Sequence, residues 1–132
     1  MVRLMIVVID DERTFVGTGC TDPPAVYART SNEGIAAVAN AWTNYVLRYG
    51  NMVDLYLDHD LGEDDTIMPV VDFLYVAGMK SGIMNPVDLI RPTDFIANIF
   101  IHSQNPTAGD TIIPLLSPLY KNVQRIPLPD LI

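Results

Sequence analysis

Acidic residues and histidines follow apolar segments at three points of the sequence. These residue types suit metal binding and proton transfer. These residues are Asp10 and Asp11, then Asp58, His59 and Asp60, and finally His102 followed by Ser103. A charged group that leaves water is costly unless it is paired or bound to a cation. Carboxylate oxygens are the ligands that Mg²⁺ prefers. The predicted metal ligands are Asp10, Asp11, Asp58 and Asp60.

The apolar segments before these residues have the composition of buried strands. Residues 4–9, LMIVVI, are continuously apolar and partly β-branched, which is typical of a strand covered on both faces of a parallel sheet. The other predicted strands are 25–29, 53–57, 95–101 and a short one in VQRIPLP, 123–129. Proline is tolerated only at a sheet edge, so the last strand is predicted to be an edge strand. Functional groups gather at the carboxyl ends of parallel strands, where we expect the polar residues to meet.

Predicted helices alternate with these strands. Thr30 and Glu33 have the spacing of a capping box, and apolar residues recur after them at helical intervals, which predicts a helix up to Gly50. A second helix is predicted over 69–82, with proline in its first turn. The alternation of strands and helices indicates an α/β domain with a mainly parallel sheet.

Prolines make the remaining segments less regular. A third helix is predicted within 105–121, broken by Pro114 and Pro118, because proline interrupts a helix interior. Residues 83–94, IMNPVDLIRPTD, contain two prolines and are expected to be irregular.

Composition limits the class of protein. The 132 residues are 49% hydrophobic and 18% charged, which predicts a single folded domain over 1–132. The net charge of -8 repels phosphate backbones, which argues against non-specific nucleic-acid binding. Cys20 is the only cysteine, so no intrachain disulfide can form. No apolar run approaches the ~18 residues that span a bilayer, and we expect a cytoplasmic protein that does not enter membranes.

Three motifs together resemble a known family: VVIDDER (7–13), LYLDHDLG (55–62) and IFIHSQNP (99–106). They occur in the order and positions of the receiver-domain fold, and LDHDLG followed by HSQNP is similar to the divergent branch called the cyclic-phosphate processing receiver domain. The resemblance extends from residue 4 to about residue 128. It implies a single-domain, receiver-like (flavodoxin-like) three-layer α/β sandwich with a mainly parallel sheet of about five strands.

The resemblance also implies roles for individual residues. Asp10, Asp11 and Asp58 would occupy the metal-binding and phospho-acceptor positions, and Ser103 would replace the hydroxyl residue that contacts phosphate. Ordinary receivers carry a lysine before a proline after the fifth strand. Here that region reads VQRIPLP, with Arg125 as its only cation. The ordinary phosphotransfer switch is therefore the least favoured function, and its test is labelling by acetyl phosphate that is lost in Asp58→Asn.

The added polar residues suit hydrolysis of a phosphodiester on a small cyclic phosphate or cyclic nucleotide, with Mg²⁺ as cofactor. Predicted catalytic residues are Asp58, His59, His102 and Ser103, with either histidine as general acid or base. Predicted substrate-binding residues are Arg13, Ser103 and Asn105, which would contact phosphate oxygens. An HD-type phosphohydrolase is excluded, because such enzymes need more histidines than the two present here.

Simpler structural interpretations stand beside these. The first acidic pair could cap a helix, and Asp58 with Asp60 could form a polar turn closed by Gly62. His59 could point away from its neighbours, since successive strand side chains alternate. Residues 63–65, all acidic, are expected to be a solvated loop.

A binding module is the alternative to an enzyme. A degenerate receiver could bind a nucleotide without cutting it, or could bind another protein. Calorimetry with recovery of intact ligand would identify the first of these. Leu119 and Tyr120 could also line the surface of a homodimer.

Overall fold

Five parallel strands form one sheet in the computed structural model, which describes residues 3–11, 25–48, 51–62, 64–79, 92–102 and 108–126. The strands are β1 (Arg3–Ile9), β2 (Ala25–Ala28), β3 (Asn51–Asp58), β4 (Ile96–His102) and β5 (Val123–Arg125). Their order is β2-β1-β3-β4-β5, and every pair of neighbours is parallel. This is the order of the flavodoxin-like receiver fold, which confirms the predicted fold class. The proline-flanked β5 is an edge strand, as predicted.

The described helices pack on one face of this sheet. They are α1 (Ser31–Arg48), α2 (Met68–Met79), α3 (Pro92–Phe95) and α4 (Ala108–Leu116). Strands β2 to β5 follow one another across the sheet in a single direction, and right-handed crossovers then put the connecting helices on the same side. Each of the four helices contributes a buried side chain to one hydrophobic core, which also holds the strand residues Val7, Ile9, Leu55, Leu57, Ile99 and Ile101. These residues form the sheet and one helical layer of the expected sandwich.

Two features of the helical layer differ from the prediction. Pro92–Phe95 forms the short α3, although residues 83–94 are expected to be irregular and Phe95 to begin a strand. Phe95 is fully buried and packs against Trp42 and Tyr45 of α1. The predicted break at Pro114 is wrong, since α4 continues through it to Leu116. The Pro114 side chain is exposed, so the hydrogen bond that proline cannot make is lost on the solvent side.

The side chains of Thr30 and Glu33 cap the amino end of α1. Thr30 Oγ1 accepts a hydrogen bond from the Glu33 amide at 3.1 Å, as the capping-box spacing predicts. The Glu33 carboxylate accepts from the Arg29 amide at 2.9 Å, one residue earlier than in a standard capping box.

Asp65 also holds this helix start. It accepts hydrogen bonds from the amide and the hydroxyl of Ser31 at 2.7 and 2.6 Å, which lower the pKa of its carboxyl group. Asp65 lies in a loop, as expected, but its carboxylate is partly buried and bound to Ser31 rather than fully solvated. The carboxylate links the β3–α2 loop to the positive end of the α1 dipole.

Tyr120 does not lie on a surface that a dimer partner could use. Its side chain is only 2% exposed, and its hydroxyl donates to the Leu74 carbonyl at 2.7 Å. Burial raises the pKa of the Tyr120 hydroxyl. The expectation that Tyr120 lines a homodimer surface is wrong, because the residue belongs to the core that joins α2 and α4.

Within the described ranges, no helix combines the length and the apolar character that crossing a membrane requires.

Candidate metal centre

A row of polar residues lies across the carboxyl edge of the sheet. The last apolar row of paired residues is Ala28, Ile9, Leu57 and Ile101. One residue further along each segment come Arg29, Asp10, Asp58 and His102, which we call the polar row. Residues of one cross-strand row lie side by side on the same face of a sheet. The parallel register therefore brings together side chains that are distant in sequence.

Three carboxylates converge at this edge. Asp10, Asp11 and Asp58, the acidic triad, each offer an oxygen, and these oxygens all lie within 4.8 Å of one another. Asp10 is fully buried and Asp58 is 5% exposed, while Asp11 is half-buried. Such crowding is unfavourable for like charges in a poorly solvated place unless a cation offsets it.

The donor set of the acidic triad fits Mg²⁺. The ion takes oxygen ligands at about 2.1 Å in an octahedron, so two of its ligands are at most about 4.2 Å apart. At most one pair among three such ligands can be opposite each other, and the other pairs lie about 3.0 Å apart, so oxygens up to 4.8 Å apart would have to approach by up to about 1.8 Å to share one ion. Three protein ligands leave the remaining positions for water or a phosphate oxygen, which is the usual arrangement for Mg²⁺.

His102 is the histidine that the fold brings to the triad. It ends β4 directly beside Asp58 in the register, and its Nδ1 lies 3.7 Å from Asp10 Oδ2. Both side chains of this pair are fully buried. The fold therefore places an imidazole and a carboxylate of the triad within ion-pair distance of each other.

His59 and Asp60 pair with each other. The His59 Nδ1 and the Asp60 Oδ1 are 2.9 Å apart, and the Asp60 side chain is 65% exposed. The backbone of Asp60 also forms an isolated antiparallel β-bridge with the backbone of Thr66. The acidic triad does not include Asp60, although all four aspartates are in the described part of the chain.

Gly62 forms the wall next to Asp11. Its φ of +83° lies in the left-handed region that favours glycine. A Cβ at this position would lie 3.1 Å from Asp11 Oδ2. Gly62 therefore lets the β3–α2 loop pass close to a carboxylate of the triad.

A cavity of about 530 Å³ opens beside this glycine. Its lining residues are Thr30, Leu61, Gly62, Asp64 and Asp65. The volume lies within the range of small-molecule sites. A ligand in this cavity would be adjacent to Asp11.

Three predicted substrate contacts, Arg13, Ser103 and Asn105, lie outside the described residues. The described part of the site instead contains three residues to which the sequence interpretation gave no role there. Arg29 donates from Nη1 to the Asp10 carbonyl at 3.0 Å, Gly62 packs against Asp11, and Asp65 anchors α1. An arginine at the end of a predicted strand was the available signal for Arg29, but its meaning depends on which strand lies next to β1.

Comparison with known proteins identifies one family. The family model of the cyclic-phosphate processing receiver domain matches residues 5–117. The matched span includes the whole polar row and the acidic triad. A search of curated proteins and a search of solved structures each found no match.

Proposed function

Because the chain belongs to the cyclic-phosphate processing receiver domain family, we propose that it is a Mg²⁺-dependent phosphodiesterase acting on a small cyclic phosphate or cyclic nucleotide. The observation that carries the proposal is the convergence of the acidic triad with His102 at one edge of the sheet. A carboxylate cluster alone would suit metal binding. The addition of an imidazole beside it suits proton transfer as well.

Asp10, Asp11 and Asp58 would hold the ion. Bound Mg²⁺ would supply Lewis-acid polarisation of a phosphoryl oxygen and would lower the pKa of a coordinated water. Asp58 is the last residue of β3, and Asp10 and Asp11 directly follow β1, which is adjacent to β3 and in register with it. A site built on neighbouring strands is held more rigidly than one built on loops.

His102 would act as general base and then as general acid. In hydrolysis of a cyclic phosphodiester, a water oxygen bonds to phosphorus, one ring P–O bond breaks, and the departing oxygen receives a proton. The products are one phosphate monoester and one hydroxyl group. His102 would accept the proton of the water and return a proton to the departing oxygen, and Asp10 beside it would stabilise the charged imidazole between these steps.

The cavity beside Gly62 would receive the part of the ligand that carries no phosphate. Its walls include the carboxylates of Asp64 and Asp65, which would repel a phosphate and accept hydrogen bonds from hydroxyl or amino groups. Ser103, Asn105 and Arg13 remain our predicted contacts for the phosphate oxygens. His59, paired with Asp60, keeps its predicted catalytic role as a second candidate for the general acid or base.

The test is turnover of 2′,3′-cyclic and 3′,5′-cyclic nucleotides by the purified protein, with Mg²⁺ or with a chelator. We expect a phosphate monoester to appear only with Mg²⁺, and no product from Asp58→Asn. Asp54→Asn is the matched control, because Asp54 lies on the same strand, is half-buried and bonds to Asn98 rather than to the triad. No turnover of any cyclic nucleotide by excess protein with Mg²⁺ would contradict the proposal.

A binding module is the second candidate. The full burial of His102 and Asp10 favours it, because a general base must reach a proton of the water or the substrate. In that case calorimetry would show Mg²⁺-dependent binding of a cyclic nucleotide, and chromatography would recover the ligand intact.

A further inference from the structure

Arg29 holds the peptide that joins two residues of the acidic triad. The amide of Asp10 donates to the Ala28 carbonyl at 3.0 Å, so the backbone of β2 satisfies one side of this residue. The Asp10 carbonyl, which belongs to the peptide between Asp10 and Asp11, accepts from Arg29 Nη1 at 3.0 Å. The arginine side chain thus continues the β2–β1 ladder by one hydrogen bond after the backbone pairing of β2 has ended.

We infer that Arg29 is a positioning residue that orients the Asp10–Asp11 peptide and thereby sets the affinity of the acidic triad for Mg²⁺. This inference rests on the metal site of the proposed function. Two of the three residues of the acidic triad are joined by the peptide that Arg29 binds. A rotation of this peptide would move the Asp10 and Asp11 carboxylates relative to Asp58, which is fixed on β3.

Arg29 is itself held in place from two sides. Its guanidinium carbon lies 5.6 Å from the centre of the Tyr27 ring, within the range of a cation–π contact. Its backbone amide donates to Glu33 in the first turn of α1. The hydrogen bond to Asp10 is part-buried, so it competes less with water than an exposed contact would.

Removal of the Arg29 side chain removes both a positive charge and a hydrogen bond. These two losses should change the affinity for Mg²⁺ in opposite directions. By charge alone, loss of a cation beside a Mg²⁺ site should tighten binding of the ion, because like charges repel. By position, loss of the hydrogen bond should weaken binding. Residues that orient metal ligands typically contribute about 10- to 100-fold to metal affinity. The sign of the change therefore distinguishes a positioning residue from a nearby charge.

The experiment is calorimetric titration of Mg²⁺ into the whole chain, with no nucleotide present. We expect Arg29→Met to bind Mg²⁺ about 10-fold more weakly than the wild type. Arg29→Lys keeps the charge but loses the planar fork, and it should also bind more weakly. Lys121→Met is the matched control, because it removes the same charge from an exposed residue before β5, at the amino edge of the sheet. The control should bind Mg²⁺ as the wild type does.

Thermal unfolding in chelator provides the check on folding for each variant. Mg²⁺ binding by Arg29→Met that is as tight as the wild type, or tighter, would overturn the inference even if the variant were less stable. If Arg29→Met does not fold, unchanged affinity in Arg29→Lys overturns it instead. Absence of Mg²⁺ binding by the wild type would overturn the metal site and the inference together, whereas binding without turnover would contradict only the proposed hydrolysis.

Discussion

Replacement of Asp58 by asparagine should stabilise the protein in the absence of metal. Asp58 is 5% exposed and belongs to a triad whose carboxylate oxygens lie within 4.8 Å of one another. Asparagine has nearly the same shape and keeps one carbonyl oxygen as a hydrogen-bond acceptor. The substitution therefore removes two like-charge pairs with little change in packing.

The size of the effect follows from these distances. At an effective dielectric constant of about 20, two unit charges 4.8 Å apart repel by roughly 3.5 kcal/mol. Two such pairs give roughly 7 kcal/mol at this distance, which solvent and the nearby Arg29 guanidinium reduce. We expect Asp58→Asn to raise the free energy of unfolding by about 1–2 kcal/mol, which corresponds to a rise in Tm of roughly 3–8 °C.

Mg²⁺ should reverse the order of stability. At one hundred times its dissociation constant, a ligand stabilises the folded state by about 2.7 kcal/mol. The wild type should gain this amount, which exceeds the advantage of Asp58→Asn in chelator, and the variant should gain almost nothing. Urea unfolding in chelator and in Mg²⁺ measures both quantities. Asp54→Asn loses the charge but keeps an oxygen that can accept the hydrogen bond from Asn98, so it should be at most slightly destabilised, and equally so in both buffers. A less stable Asp58→Asn in chelator would refute the reasoning, because the triad would then not be a site of repulsion.

Two further predictions concern the loop between β3 and α2. Gly62→Ala should cost about 1–2 kcal/mol of stability, because φ is +83° and the new Cβ would lie 3.1 Å from Asp11 Oδ2, and it should also weaken Mg²⁺ binding in calorimetry; unchanged stability would contradict the geometry of this loop. Asp65→Asn should cost about 1 kcal/mol at neutral pH through its bonds to Ser31. Because those bonds lower the pKa of Asp65 below its ordinary 3.8, the difference from the wild type should be constant above that pH and should disappear as the pH falls below it. Urea unfolding at pH 3 and pH 7 would show this, and an equal difference at both pH values would exclude the carboxylate as its cause.

Much of the fold was accessible from local patterns. Residues 4–9 form an unbroken apolar run, and side chains 6–9, which alternate between the two faces of the sheet, are all buried. The capping pair Thr30 and Glu33 starts α1 as its spacing predicts. The continuation of α4 through Pro114 was not accessible in this way. It depends on burial of Ile112 and Leu116 against the sheet, and a tertiary contact of that kind outweighs the local cost of one proline.

The candidate site divides along the same line. The aspartates of the triad follow apolar strands, so their chemistry and their place at strand ends could be inferred from sequence. The sequence could not indicate which of the two histidines, His59 or His102, lies beside the acidic triad, since both follow strand segments. The register places His102 within 3.7 Å of Asp10 and leaves His59 paired with Asp60.

The residue types at the strand ends could be inferred from the chain alone, because an apolar run and the polar residue that ends it are neighbours in sequence. Which of those ends lie side by side depends on the folded sheet. Arg29 reaches the Asp10 carbonyl because β2 pairs with β1, and Asp65 reaches Ser31 because the β3–α2 loop passes the start of α1. Such lateral contacts depend on strand order and register, which are fixed by packing of the whole core rather than by any local pattern.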